Sequence, residues 1–406
     1  MQESASRQSR WASLAPSTRQ ILSFPALDAL RFIGAIAVVL THTTFQTGVY
    51  GPTLLGTLVA RLDIGVALFF SLSGFLLSRP YFSHLAQRIP MPRAGYYLWK
   101  RALRIVPVYA ITVVAVLTFI PEARGAFLPR WIQNLTLTVI YGGDILPAGL
   151  TQMWSLATEV AFYLVLPLLM PLIGLLCCRS RWRPDRILVV LIALALTNVA
   201  WLSLVDLATH RPLWLPGFLS WFCVGMTIAV ASVDVEHANP RPWATFIARI
   251  GAIPSSCFVA AFALLLIASS PIAGPIFGTI PTHGEAITKN LLYALFAFFL
   301  ITPGVFADPS HTLMRFLSLP WLRYLGRISY GIFCIHLFVL YFTFKALGFA
   351  YFDGHFAVVF VATVASTLLL AAAIYRFVER PVNKLKRFGR PKTEPAINPN
   401  ASAIAN

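Results

Sequence analysis

Long apolar runs separated by short polar connections dominate the chain. They fall at about 28–47, 62–80, 103–120, 152–176, 186–206, 212–232, 252–270, 286–306, 328–348 and 355–377. Each approaches the roughly 20 residues that a helix needs to cross the hydrocarbon core of a bilayer. The pattern predicts an all-α, polytopic membrane protein of about ten transmembrane helices. The segment 132–141 is apolar but too short to span, which suits a re-entrant or interfacial piece. Between the runs there is no internal repeat and no room for a large soluble domain.

Composition agrees. Of the 406 residues 58% are hydrophobic and only 12% charged, with a mean hydropathy of +0.73. A soluble chain carries about 25% charged residues, so lipid is the solvent that explains the deficit. The polar ends, 1–23 and 389–406, read as disordered tails around one domain at 24–388. The N-terminal tail lacks the apolar stretch of a cleavable signal peptide. Five cysteines, Cys177, Cys178, Cys223, Cys257 and Cys334, lie in or beside apolar runs without metal-ligand spacing. They read as small hydrophobes, and no metal site is predicted.

The formal net charge is +17, and its distribution matters more than its size. Twenty-five of the 32 Lys and Arg fall in the tails and alternate connections, six lie in the remaining connections, and Arg31 sits inside the first run. By the positive-inside rule both termini are cytoplasmic. Such loop clusters, with no aromatic-laced basic domain, exclude a nucleic-acid partner.

Ionisable residues inside the hydrocarbon are costly, so the chemistry is sought there. The first helix carries Asp28, Arg31 and His42. At about 100° per residue, the eleven positions from Arg31 to His42 bring both to one face, about 16 Å apart in rise. His42 suits proton transfer near neutral pH; the alternative is a satisfied interior histidine, with Arg31 snorkelling to the interface. In the second helix Gly65, Ser71, Ser73 and Gly74 suit close helix packing, and Asp63 sits near the outer end. Arg101 and Arg104 lie one turn apart at the start of the third helix, either as a polyphosphate site or as a plain charge anchor. In the fourth, Ser155, Glu159 and Tyr163 form one polar stripe at i, i+4 and i+8. Glu159 could orient a histidine, hold a hydroxyl or pair with an arginine. Ser329 and His336 share a face of the ninth helix, His336 serving either the core or the same cavity as His42. Glu379 and Arg380 at the end of the tenth read as an edge salt bridge.

In this order the segments LDALRFIGAIAVVLTHT, GVALFFSLSGFLLSR, KRALRIVPVY, MWSLATEVAFYLVLPLL, LGRISYGIFCIHLF and VERPVNKL resemble the membrane acyltransferase-3 family over roughly residues 24–388. The family's basic residue, ten-residue interval and histidine match Arg31 and His42, and its R-x-x-R matches Arg101 and Arg104. Ala67 stands where many members carry an acidic residue, which could alter the acceptor site.

The resemblance implies an integral membrane O-acyltransferase of a bacterial cytoplasmic membrane. It would move an acyl group, acetyl or another short one, from cytoplasmic acyl-CoA to a hydroxyl of a carbohydrate or glycosylated small molecule. Acyl-CoA is then a co-substrate, and no bound cofactor is expected. Arg31, Arg101 and Arg104 would hold the donor, and His42 would act as general base or acyl carrier. Glu159 would be catalytic, placed with Trp154 near the acceptor in the outer half. Trp154, Ser329 and His336 would line the acceptor cavity. The appended esterase-like domain of some members has no counterpart in these residues. A proton-coupled transporter of a small molecule is the competing reading, since buried Arg, His and Glu also suit a carrier.

Overall fold

The computed structural model describes residues 24–388 except 52, 125–126, 144–145, 180 and 277–278. The expected tails therefore lie outside the described residues. Within them every regular element is helical, and no strand occurs.

In chain order the helices are α1 (Pro25–Thr47), α2 (Leu54–Ala60), α3 (Gly65–Gln87), α4 (Ala94–Phe119), α5 (Phe127–Leu135), α6 (Val139–Gly142), α7 (Met153–Cys177) and α8 (Pro184–Leu204). There follow α9 (Leu219–Asp234), α10 (Pro242–Gly251), α11 (Pro254–Ala268), α12 (His283–Phe306), α13 (Thr312–Leu317), α14 (Pro320–Leu347), α15 (Phe356–Ile374) and α16 (Arg380–Asn383). Nine helical stretches among the described residues are long and apolar enough to cross a membrane, or ten if the bent pair α10–α11 is one span. The seventh expected run, 252–270, is α11, which passes as a span only together with α10 before it. The pair is bent by 87° between Gly251 and Pro254. Pro254 has no N–H to continue the preceding helix and disfavours the helical conformation at Ile253. The short apolar segment near 132–141 forms α5 and α6, neither long enough to span. The Tyr109 hydroxyl of α4 donates to the Asn134 carbonyl and ties α5 down.

Lipid offers no hydrophobic drive for helices to associate, so close packing by small residues has to hold the bundle. At the α3–α9 contact a Cβ on Gly74 would lie 2.2 Å from the Phe222 carbonyl oxygen, and one on Gly225 would lie 1.8 Å from that of Ser71. The Ser71 hydroxyl donates to the Trp221 carbonyl across the same seam at 2.7 Å. The packing expected of Gly74 and Ser71 is what the structure shows.

Helix α1 is seated in the same way between α3 and α14. A Cβ on Gly65 would meet the Gly34 carbonyl oxygen at 2.6 Å, and one on Gly326 would meet that of Asp28 at 2.2 Å. These contacts leave no slack in the placement of the face that carries Arg31 and His42. The chain ends its last span in a π-helical turn, Tyr375–Glu379, which turns Glu379 inward until it is 3% exposed. Such turns are rare and often mark functional positions.

Candidate active site

Helices α1, α3, α4, α7 and α14 enclose two adjoining chambers. The first, of about 90 Å³, is lined by Arg31, Ser73, Arg101, Arg104, Glu159, Tyr163, Ser329 and Tyr330, among apolar neighbours. The second, of about 120 Å³, is lined by Val38, Thr41, His42, Asp63, Gln152 and Trp154. Val66, Ser155 and Phe333 line both.

The order of residues along each helix accounts for the arrangement. Helix α1 passes from Arg31 to His42 and α14 from Ser329 to His336. Helix α7 runs the other way, from Trp154 to Glu159, and the chain entering and following α3 does the same from Asp63 to Ser73. Four segments thus cross from a guanidinium-rich chamber to a histidine-bearing one. The Ser155–Glu159–Tyr163 stripe faces the arginine chamber along its whole length.

Arg31 and Arg104 are each held by a carboxylate, one from its own helix and one from far along the chain. Arg31 lies 3.7 Å from Asp28, which also approaches Arg323 at 3.9 Å. Arg104 pairs with Glu379 at 3.3 Å and sits over the ring of Tyr330, 5.7 Å from its centroid. Glu379 was expected to serve an edge salt bridge with Arg380; its partner is instead Arg104, 275 positions away. Lys386 adds a further cation within electrostatic reach of Lys100, Arg101 and Arg104. A chamber lined by several guanidiniums suits a polyphosphate anion, since each fork of donors matches phosphate oxygens.

Glu159 was expected in the outer half, near the acceptor. It lines the arginine chamber, apart from Trp154 in the histidine chamber, accepting hydrogen bonds from the hydroxyls of Ser73 and, at 2.6 Å, Tyr163. Ser73 therefore does more than pack. Trp154 does line the histidine chamber, braced edge-on by Phe70 with centroids 6.4 Å apart and tilted on Phe218 at 5.1 Å. Ser329 lines the arginine chamber and donates to the Gly326 carbonyl at 2.8 Å. His336, expected to line a cavity wall, is fully buried and stands behind His42.

Backbone carbonyls fix the tautomers of the two histidines. His336 Nδ1 lies 2.8 Å from the Phe333 carbonyl and 3.3 Å from that of Ile332. Carbonyl oxygens only accept, so in the neutral ring this nitrogen carries the proton and Nε2 is left as an acceptor. That Nε2 lies 3.1 Å from His42 Nδ1, which is also 3.0 Å from the Val38 carbonyl. Facing two acceptors, His42 Nδ1 carries its proton. The lone pair of His42 is therefore on Nε2, on the ring that lines the chamber. A neutral imidazole fixed in this way can take a proton from a hydroxyl.

Asp63 and Gln152 share that chamber and were not singled out as site residues from sequence. Asp63 accepts from Lys289 at 2.7 Å and from the Tyr293 hydroxyl. Gln152 donates to the Cys334 carbonyl at 2.9 Å. Ala67 is fully buried, and the carboxylate of the histidine chamber belongs to Asp63, four positions earlier. Helical spacing held the signal, since Asp63, Val66 and Ser73 recur at intervals of three and seven on one face. Among the described residues no group of three His, Cys, Asp or Glu could hold a metal ion.

The fold and these chambers define a class: a multi-pass, all-α membrane protein with its polar chemistry enclosed by the bundle. Within that class the chain belongs to the acyltransferase-3 family, whose acyltransferase-domain model matches residues 24–376. It is 24% identical over 385 residues to the peptidoglycan O-acetyltransferase OatA of Listeria monocytogenes, covering 89% of this chain and 56% of the relative. It is equally 24% identical to the O-acetyltransferase OatA of Staphylococcus aureus, over 89% of this chain and 57% of the relative. The chain thus spans little more than half the length of these relatives. It is 26% identical to nodulation protein 10 of Rhizobium leguminosarum bv. viciae, over 88% of this chain and 93% of that protein. No solved structure matches the chain.

Proposed function

We propose that the protein is an integral membrane O-acyltransferase that moves a short acyl group from acyl-CoA to a hydroxyl of a carbohydrate acceptor. The family and the O-acetyltransferase relatives support the reaction class. One relative is named for peptidoglycan, which supports a glycan acceptor. The bacterial relatives support a bacterial cytoplasmic membrane, and the positive-inside count supports an orientation with the arginine chamber toward the cytoplasm, where acyl-CoA resides.

The donor's phosphates are held by Arg31, Arg101 and Arg104, and its thioester arm extends toward His42. The acceptor hydroxyl enters the histidine chamber beside Trp154, whose indole face suits a sugar ring. His42 Nε2 takes the hydroxyl proton as the oxygen attacks the thioester carbonyl. The carbon–sulfur bond breaks, and the proton passes to the departing thiolate, giving the ester and free CoA. His42 is a general base in this scheme. Glu159 acts on the donor side, fixing Ser73 and Tyr163 beside the guanidiniums.

The observation that carries the proposal is the assigned tautomer of His42, which sets a basic nitrogen at the far end of a chamber system that begins with arginines. The test is release of free CoA from acetyl-CoA by protein purified in nanodiscs, with and without added glycans. Turnover is expected in wild type and lost in His42→Ala with donor binding kept. Arg101→Ala/Arg104→Ala should lose donor binding. Wild-type protein that neither binds acetyl-CoA nor releases CoA would overturn the proposal in favour of a carrier.

A further inference from the structure

Val66, Ser155 and Phe333 come from three helices, α3, α7 and α14, and are the residues common to both chambers. We infer that they form a collar through which only the acyl end of the donor passes, and that Phe333 sets the acyl length the enzyme accepts. This rests on the proposed function.

The collar has no charged side chain. Val66 and Phe333 are hydrocarbon, and the Ser155 hydroxyl is turned to the Gln152 carbonyl of its own helix at 3.1 Å. Carrying a phosphate past such residues means stripping its water without replacement, at a cost far above that for an uncharged acyl group. The collar therefore sorts one donor molecule into two parts: phosphates remain with the guanidiniums, and the acyl group reaches His42.

Beyond the collar, space is limited. The acyl group shares the histidine chamber, of about 120 Å³, with the acceptor hydroxyl. The Phe333 ring is held, meeting Phe69 edge-on at 6.0 Å between centroids and His336 at 6.1 Å. A longer chain must displace this ring, and with it the side chain that orients His42. A mismatch of one methylene in an apolar site changes rates by about 10- to 200-fold.

CoA release from acetyl-, butyryl- and hexanoyl-CoA is measured with purified protein in nanodiscs, water and peptidoglycan-derived glycans serving as acceptors. Wild type is expected to favour acetyl-CoA. Phe333→Ala should raise the hexanoyl-to-acetyl rate ratio by about tenfold or more. Val66→Phe, which narrows the same collar, should lower the butyryl-to-acetyl ratio. A general packing defect would slow all donors alike and leave both ratios unchanged. Phe333→Leu stands in if the alanine variant does not fold. Unchanged ratios with an active wild type overturn the collar and leave the proposed function intact. No CoA release by wild type from any donor overturns both.

Discussion

His42 Nδ1 and His336 Nε2 lie 3.1 Å apart, joining residues 294 positions apart in the chain. His336 is fully buried, so its influence on chemistry runs through His42. Without it, His42 keeps the Val38 carbonyl but loses the partner that holds its ring toward the chamber. His336→Ala is expected to lower kcat by about 100-fold, the low end of what a positioned acid–base group contributes. The donor's Kd should stay within a few-fold of wild type. His336→Gln, which can still offer an acceptor, should recover part of the loss. Steady-state CoA release and acyl-CoA binding check this; equal losses in the two variants would reduce His336 to a packing residue.

The Arg104–Glu379 pair sets stability against donor binding. Glu379 is 3% exposed and Arg104 12% by side chain. Removing one partner of a buried pair typically costs about 3–5 kcal/mol. Glu379→Gln should therefore lower the thermal stability of the detergent-solubilised protein. The same change releases Arg104 from its carboxylate, so acyl-CoA should bind more tightly. Thermal unfolding and donor titration on one variant test both signs, and weaker donor binding would count against Arg104 as a donor contact.

The spans were legible because lipid demands long uninterrupted apolar runs, whatever packs against them. The bend at Gly251–Pro254 was not, because it lies at the edge of the seventh run and joins it to α10, a ten-residue helix too short to read as a span. The Arg31–His42 face followed from the angle per residue. The side of the collar on which Glu159 falls did not: spacing defines its stripe, but only the packing of α7 against α3 and α4 shows that the stripe meets arginines. Glu379 and His336 were visible as residues, yet their partners lie 275 and 294 positions away, and nothing local reports such pairings.

The glycine seam between α3 and α9 yields a stability test independent of function. A Cβ on Gly225 would sit 1.8 Å from a backbone oxygen that cannot move aside without shifting a helix. Overpacking of this kind costs about 1–3 kcal/mol. Gly225→Ala should lower the unfolding temperature, whereas Gly95→Ala, where nothing lies within 4 Å of the added carbon, should not. Equal behaviour of the two variants would show that α9 can move away from α3 at little cost.

Trp154 separates the use of acceptor from the use of donor. It lines the histidine chamber but not the arginine chamber, and Phe70 and Phe218 brace it there. If its indole stacks a sugar ring, Trp154→Ala should raise the acceptor KM by about tenfold, since a stacked aromatic contributes roughly 1 kcal/mol or more. Hydrolysis of acetyl-CoA in the absence of glycan should be much less affected, because water needs no platform. Trp154→Phe should retain most acceptor affinity. Parallel measurement of glycan-dependent and glycan-independent CoA release distinguishes these rates. A Trp154→Ala variant that lowered both equally would place the indole in support of the bundle rather than at the acceptor.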